Sequence, residues 1–154
     1  TGRHFLTICC RERRAVFVAS STVDPVVRQF LTVAGASDVA VLAYCVMPDH
    51  VHLLVESGDV KQVAEFVRLS KQRSSFHYRR ETGRLLWQPS YFDRTLRNGE
   101  DLFPVLRYLI ENPVRAKLCN DVRAYPFWGS PLYSRDELLE FAGRGARDLG
   151  ARDL

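Results

Sequence analysis

Two apolar runs, Val39–Val46 and His50–Glu56, are separated only by Met47-Pro48-Asp49. Both are of strand length, the first is rich in β-branched residues, and Pro-Asp is a turn signal, so the pair predicts an antiparallel hairpin. His4–Cys10 reads as an earlier strand, followed by a basic turn at Arg11–Arg14. Between them, Val23, Val26, Val27, Phe30, Leu31 and Ala34 recur at helical spacing and predict a helix over Thr22–Ala34. Thr22 is its expected cap, Asp24 suits the positive end of the dipole, Pro25 falls in the first turn and Gly35 closes it. Asp59 is placed to cap a further helix, Val60–Arg80, whose apolar stripe is Val60, Val63, Phe66, Val67 and Ser70, with Gly83 as terminator. Tyr91–Arg97 reads as a strand and Asn98-Gly99 as a turn. Asp101–Glu111 reads as a helix, with Pro104 in its first turn and Pro113 at its end.

The order is β-α-β-β-α-β-α, which contains the split βαβ pattern of a ferredoxin-like fold. The expected class is therefore α+β, an antiparallel sheet with helices on one face. No linker or composition break interrupts residues 1–133, read as one domain. A C-terminal helix and tail follow at 134–154. Ser134 and Glu137 form a capping box for a short helix, Arg135–Ala142. Beyond it, Gly-Ala-Arg-Asp-Leu at 145–149 repeats at 150–154, which reads as a tail or short helical extension.

Composition removes several classes. The 154 residues are 46% hydrophobic and 26% charged, ordinary globular usage. No apolar run approaches the ~18 residues that cross a bilayer, and the opening Thr1-Gly2-Arg3-His4 has no signal-peptide layout. The four cysteines, Cys9, Cys10, Cys45 and Cys119, lack CxxC spacing and sit mostly in apolar stretches. They read as buried reduced thiols, hence a cytoplasmic protein rather than a disulfide scaffold or zinc finger.

Charge is uneven. Lys61–Arg97 holds nine basic and three acidic residues, a net +6 in a chain whose total is +4. Phe76, His77, Tyr78, Trp87 and Tyr91 are interleaved with them, as on surfaces that neutralise phosphates and stack bases. The candidate DNA contacts are Arg68, Lys71, Arg73, Arg79 and Arg80 on the long helix, then Arg94 and Arg97 on the next strand. Trp87 reads as core beneath that strand.

His50-Val51-His52 is the sharpest chemical feature. On a strand the two imidazoles share one face about 7 Å apart, while Val51, Leu53 and Val55 enter the core. Such a pair can share a metal ion, or be two surface histidines. Asp49 adjoins it, and Pro48-Asp49 reads first as a turn. On the later helix, Tyr108 and Asn112 stand four apart and so neighbour one another, away from the stripe Leu102, Leu106, Leu109 and Ile110. A phenol beside a carboxamide pairs a nucleophile with an oxygen ligand, or is simple amphipathic packing. A zinc hydrolase fits less well, with His4 and His77 the only other histidines and no HExxH motif.

Three stretches in order, Tyr44-Cys-Val-Met-Pro-Asp-His-Val-His-Leu-Leu-Val55, Leu86-Trp-Gln-Pro-Ser-Tyr-Phe-Asp-Arg94 and Arg107-Tyr-Leu-Ile-Glu-Asn-Pro-Val-Arg-Ala-Lys-Leu118, together resemble the HUH single-tyrosine transposases. The resemblance is greatest to the REP-associated, IS200-like branch and covers roughly residues 4 to 133. It implies a ferredoxin-like sheet with the HUH strand at its centre. It also implies magnesium or manganese bound by His50 and His52, with Asn112 completing the site, and Tyr108 as nucleophile. The activity it implies is nicking and joining of single-stranded DNA beside a hairpin, through a 5′-phosphotyrosine link and a free 3′-hydroxyl. REP-type palindromes are the implied partner and the nucleoid the implied setting. Relatives work as monomers or as homodimers, and both states stay open. A non-catalytic DNA-hairpin binding protein that keeps the fold is the alternative reading, and an RNA-binding ferredoxin-like domain comes third.

Overall fold

The computed structural model describes residues 2–152, with side chains described through residue 144. In chain order the elements are β1 (Gly2–Cys9), α1 (Ser20–Gly35), β2 (Val39–Met47), β3 (His50–Ser57) and α2 (Val60–Thr82). Then follow β4 (Phe92–Thr95), α3 (Leu102–Ile110), α4 (Asn112–Arg115), β5 (Trp128–Gly129) and α5 (Arg135–Arg152). The five strands form one open sheet in the order β4-β1-β3-β2-β5, every neighbouring pair antiparallel. β1 and β2 both run against β3 and hence parallel to one another, with α1 as the crossover. This is the expected split βαβ, with the histidine strand in the middle.

Alternation along β3 decides what each face carries. Val51, Leu53 and Val55 join Leu6 and Ile8 of β1 in a core closed by Val26, Phe30 and Val33 of α1 and Val63, Phe66 and Val67 of α2. Helices were expected on one face, which holds for α1 and α2 but not for the helices that follow. The histidine face is covered as well. Leu54 lies there with Phe5, Ala43, Cys45 and Met47, and that apolar row is buried by Leu106, Leu109 and Ile110 of α3 and Leu138 and Ala142 of α5. Leaving it in water would cost about 25 cal/mol for each Å² of apolar surface.

β2 contributes to both cores by changing parity. A register shift between Val41 and Ala43 puts Val39 and Val41 on the α1–α2 side and Ala43, Cys45 and Met47 on the α3 side. Leu42 is the extra residue, and a bulge of this kind re-aims every side chain after it.

The ends of elements follow local chemistry. The Asp59 side chain accepts from Lys61 N at 2.9 Å, and Gly83 closes α2 at φ +72°. Asp101 caps α3 through Phe103 N at 3.0 Å, with Pro104 in the first turn. Ser134 and Glu137 make the reciprocal capping box at 3.1 and 3.2 Å. α1 departs from expectation: it begins at Ser20 after Ala19, with no side-chain cap, so Thr22 lies inside the helix and Pro25 beyond its first turn. Pro113 lies in the first turn of the short helix α4 instead of simply ending α3. α5 runs on past Ala142 to Arg152, and the side chains of the Gly-Ala-Arg-Asp-Leu repeat lie outside the described residues.

Trp87 is core, as expected. Its ring packs against Phe17 and Phe30, and its Nε1–H donates to Ser74 Oγ at 3.0 Å. All four cysteines are free thiols. Among the described residues no helix is long and apolar enough to cross a membrane.

Candidate active site

The turn before β3 is fixed from the neighbouring loop. Cys10 N–H donates to the Asp49 carbonyl and Phe17 N–H to the Pro48 carbonyl, each at 2.9 Å. Between those anchors, Glu12 and Arg13 adopt left-handed backbone at φ 56° and 54°, a conformation rare outside glycine. That tight turn sets the Arg13 guanidinium against Asp49 Oδ2 at 3.0 Å and Cys9 Sγ at 2.9 Å. The other Asp49 oxygen, Oδ1, takes the Nδ1–H of His50 at 2.7 Å. Pro48-Asp49 is thus a turn, as read, and its carboxylate also holds His50.

His50 and His52 lie on one face, with Thr7 and Cys9 of β1 opposite them in register. His52 is 8% exposed. Its Nδ1 meets Thr7 Oγ1 at 3.0 Å. With both Nδ1 atoms engaged, the two Nε2 atoms face one another at 3.1 Å. Burial, and then the charge of His50, push His52 down to about 3, so its imidazole is neutral near pH 7. Burial works to raise the Asp49 carboxyl, but the bond and charge of His50 and the guanidinium of Arg13 hold it below the ordinary carboxylate value.

A neutral imidazole whose Nδ1–H is donated elsewhere offers its Nε2 lone pair to a cation. Two Nε2 atoms about 3 Å apart match adjacent ligands about 2.1 Å from an octahedral ion. Among the described residues no group of three or more His, Cys, Asp or Glu side chains forms a metal cage. Two imidazole nitrogens would leave the other positions of such an ion to water or phosphate oxygens.

Tyr108 projects from α3 over this face and is 56% exposed. Phe5 lies between phenol and histidine: its ring centre is 5.9 Å from that of Tyr108 and 4.9 Å from that of His52. Arg115, two turns further on, lays its guanidinium 3.8 Å over the Tyr108 ring and donates to the Tyr108 carbonyl. A cation held over the phenol ring can also attract a phosphate brought to it. Arg107 instead pairs with Glu111 at 3.1 Å. Asn112 opens α4 just past the α3 cap, half-buried.

The candidate DNA contacts divide between faces. Arg68, Lys71, Arg73, Arg79 and Arg80 are on α2, across the sheet from the histidines. Arg68 pairs with Glu65 at 2.6 Å. Lys71 donates to the Gln88 and Ser90 carbonyls, both at 2.9 Å, and burial lowers its pKa. Arg80 sits over Phe76, while Arg73 and Arg79 are exposed. Arg94 is opposite Phe5 in register, hence on the histidine face, and Arg97 follows exposed.

Sequence reasoning did not single out Thr7, Arg13 or Arg115. Arg115 lay within view, seven residues after Tyr108 and so on the same side of a continued helix. Thr7 and Arg13 have no local signal; register and a left-handed turn bring them in.

The family model for IS200-like transposases matches residues 3–112. A Haemophilus influenzae protein assigned as a REP-associated tyrosine transposase is 30% identical over 98 residues, which are 56% of each chain. The chain thus spans about half the length of that relative. Among solved structures, a REP-associated tyrosine transposase bound to a REP hairpin superposes with a TM-score of 0.68 at 23% identity, over 82% of this chain and 75% of that one. A Deinococcus radiodurans protein assigned as a transposase gives 0.54 at 22% identity, over 77% and 86%.

Proposed function

The chain belongs to the IS200-like transposase family, and on that premise we propose that it nicks and rejoins single-stranded DNA beside a hairpin, with Tyr108 as the nucleophile. One observation carries the reading: a half-buried and a buried imidazole, His50 and His52, each tied at Nδ1, present their Nε2 atoms 3.1 Å apart on the face that Tyr108 overhangs.

His50 and His52 would hold a divalent ion, magnesium or manganese, with Asn112 as a further oxygen ligand. When bound, that ion supplies charge to the phosphodiester and absorbs the negative charge that develops there. The remaining steps belong to the chain. Arg115, held over the Tyr108 ring, meets the phosphate. The Tyr108 oxygen attacks phosphorus in line, its proton passing to solvent. The bond to the 3′ oxygen breaks, that oxygen takes up a proton, and the 5′-phosphate stays esterified to Tyr108. A 3′-hydroxyl attacking the same phosphorus reverses the step and releases Tyr108, which is strand joining. The hairpin in the neighbouring structure supports a hairpin substrate here.

The test is a denaturing gel of labelled single-stranded DNA carrying a REP-type hairpin, incubated with protein and magnesium or manganese. The reading predicts a shifted covalent band, absent with Tyr108→Phe and absent with chelator. Hairpin binding in a native gel with no covalent band would instead favour a binding protein that keeps the fold.

A further inference from the structure

All four residues of β4, Phe92–Thr95, are exposed, and they alternate between two surroundings. Asp93 turns to the α1–α2 side, where both its oxygens lie 3.0 Å from Nδ1 of the buried His4. Phe92 and Arg94 turn to the histidine side, so there β4 presents an aromatic ring and a cation and no acid of its own. Phe92 is 64% exposed.

Register ties that pair to the site. Thr7 is the cross-strand partner of Phe92 on one side and of His52 on the other, which puts all three in one row on one face. With strands about 4.8 Å apart, Phe92 stands about 10 Å from His52. The residue between is short and its hydroxyl is already bonded to His52. The row therefore dips between two rings. In the next row Arg94 lies beside Phe5, whose ring touches both Tyr108 and His52. Among the described residues Arg94 pairs with Glu100 alone, at 2.8 Å, with its own side chain 58% exposed, and such a surface pair is weak enough to exchange for a phosphate.

We propose that Phe92 is a stacking platform for a base neighbouring the scissile phosphate, with Arg94 against the adjoining backbone phosphate. The ligand is a single-stranded DNA segment, because a paired base offers no free face to an edge-strand ring, and stacking tolerates any base. This inference rests on the single-strand nicking reading and adds the surface that positions the strand.

The probe is labelled oligo-dT, followed by fluorescence anisotropy with the full chain and with Phe92→Ala, Phe92→Leu and Phe92→Tyr. Loss of stacking predicts binding about tenfold weaker for the alanine and leucine variants, and near wild type for tyrosine. An abasic strand of the same length should bind all four proteins alike. Leucine keeps the apolar bulk without the ring, so the leucine–tyrosine comparison decides even if alanine lowers the unfolding midpoint. Wild-type affinity in the leucine variant, an equal loss on the abasic strand, or no binding of oligo-dT by the wild type would each overturn the proposal. Covalent adduct is read in the same proteins with the hairpin strand. Strand binding through Phe92 without any adduct overturns the nicking reading and keeps the platform. Adduct with unaffected Phe92 variants overturns the platform alone.

Discussion

Replacing Asp49 with alanine removes the carboxylate that fixes His50 while sparing the turn that carries it. The backbone bonds from Cys10 and Phe17 into Pro48-Asp49 need no side chain, and Arg13, whose side chain is 53% exposed, loses only a partner that water replaces. What goes is the 2.7 Å bond to His50 Nδ1. A hydrogen bond to a charged group is worth ~1.5–3 kcal/mol, which converts to a factor of about 10 to 150 in affinity. Removing the outer partner of a metal-binding histidine typically costs about 10- to 100-fold, the same range from an independent source. The expected result is manganese binding weaker by about that factor in calorimetric titration, with the unfolding midpoint lowered by about 3–12 °C. Asp49→Asn keeps an acceptor oxygen without the charge and should fall between. Adduct formation in the alanine variant should return when manganese is raised by the same factor. Unchanged manganese affinity in Asp49→Ala would refute the claim that Asp49 orients a metal ligand.

Arg115→Ala removes the guanidinium over the Tyr108 ring, and a cation–π contact of ~1 kcal/mol at an exposed site predicts adduct formation about fivefold slower, read by quench time course; an unchanged rate would leave Arg115 a structural cap. His52 is neutral in the fold down to about pH 3 but takes a proton below about 6.5 when unfolded. Its contribution is complete above pH 6.5 and is lost as pH falls toward 3, so the wild type should lose about 1.4 kcal/mol more per pH unit than His52→Gln between pH 6 and 4 in urea melts. Trp87→Phe removes the donor to Ser74 and part of a buried ring, with an expected loss of about 1–3 kcal/mol in the same melts. Gly83→Ala forces a side chain into left-handed backbone at φ +72° and should cost about 1 kcal/mol.

What could be read in advance followed from periodicity. The alternation His50-Val51-His52-Leu53 put both imidazoles on one face, and the 3.6-residue spacing of Leu102, Leu106, Leu109 and Ile110 put Tyr108 off the buried stripe. Asp59, Gly83, Asp101 and the Ser134–Glu137 pair marked element ends because capping is local chemistry. What could not be read depended on register and handedness. Nothing in Val39–Val46 announces the bulge at Leu42 that moves Cys45 and Met47 to the histidine face. Counting charge between Lys61 and Arg97 gave a basic segment but not its side of the sheet. Val63, Phe66 and Val67 settle that by packing against Val51 and Leu53, which turns α2 away from the histidines. Thr7 and Phe92 meet His52 only through strand pairing across long stretches of chain.

The central claim is that the phenol oxygen of Tyr108 takes the phosphate. It is tested most directly by trapping the covalent adduct on hairpin DNA, trimming it with nuclease and sequencing tryptic peptides by mass spectrometry. The account predicts a nucleotide mass on Tyr108 within the peptide Tyr108–Arg115, and none when manganese is chelated. A nucleotide on any other residue, or an unmodified Tyr108 peptide in a sample that has cut its DNA, would contradict it.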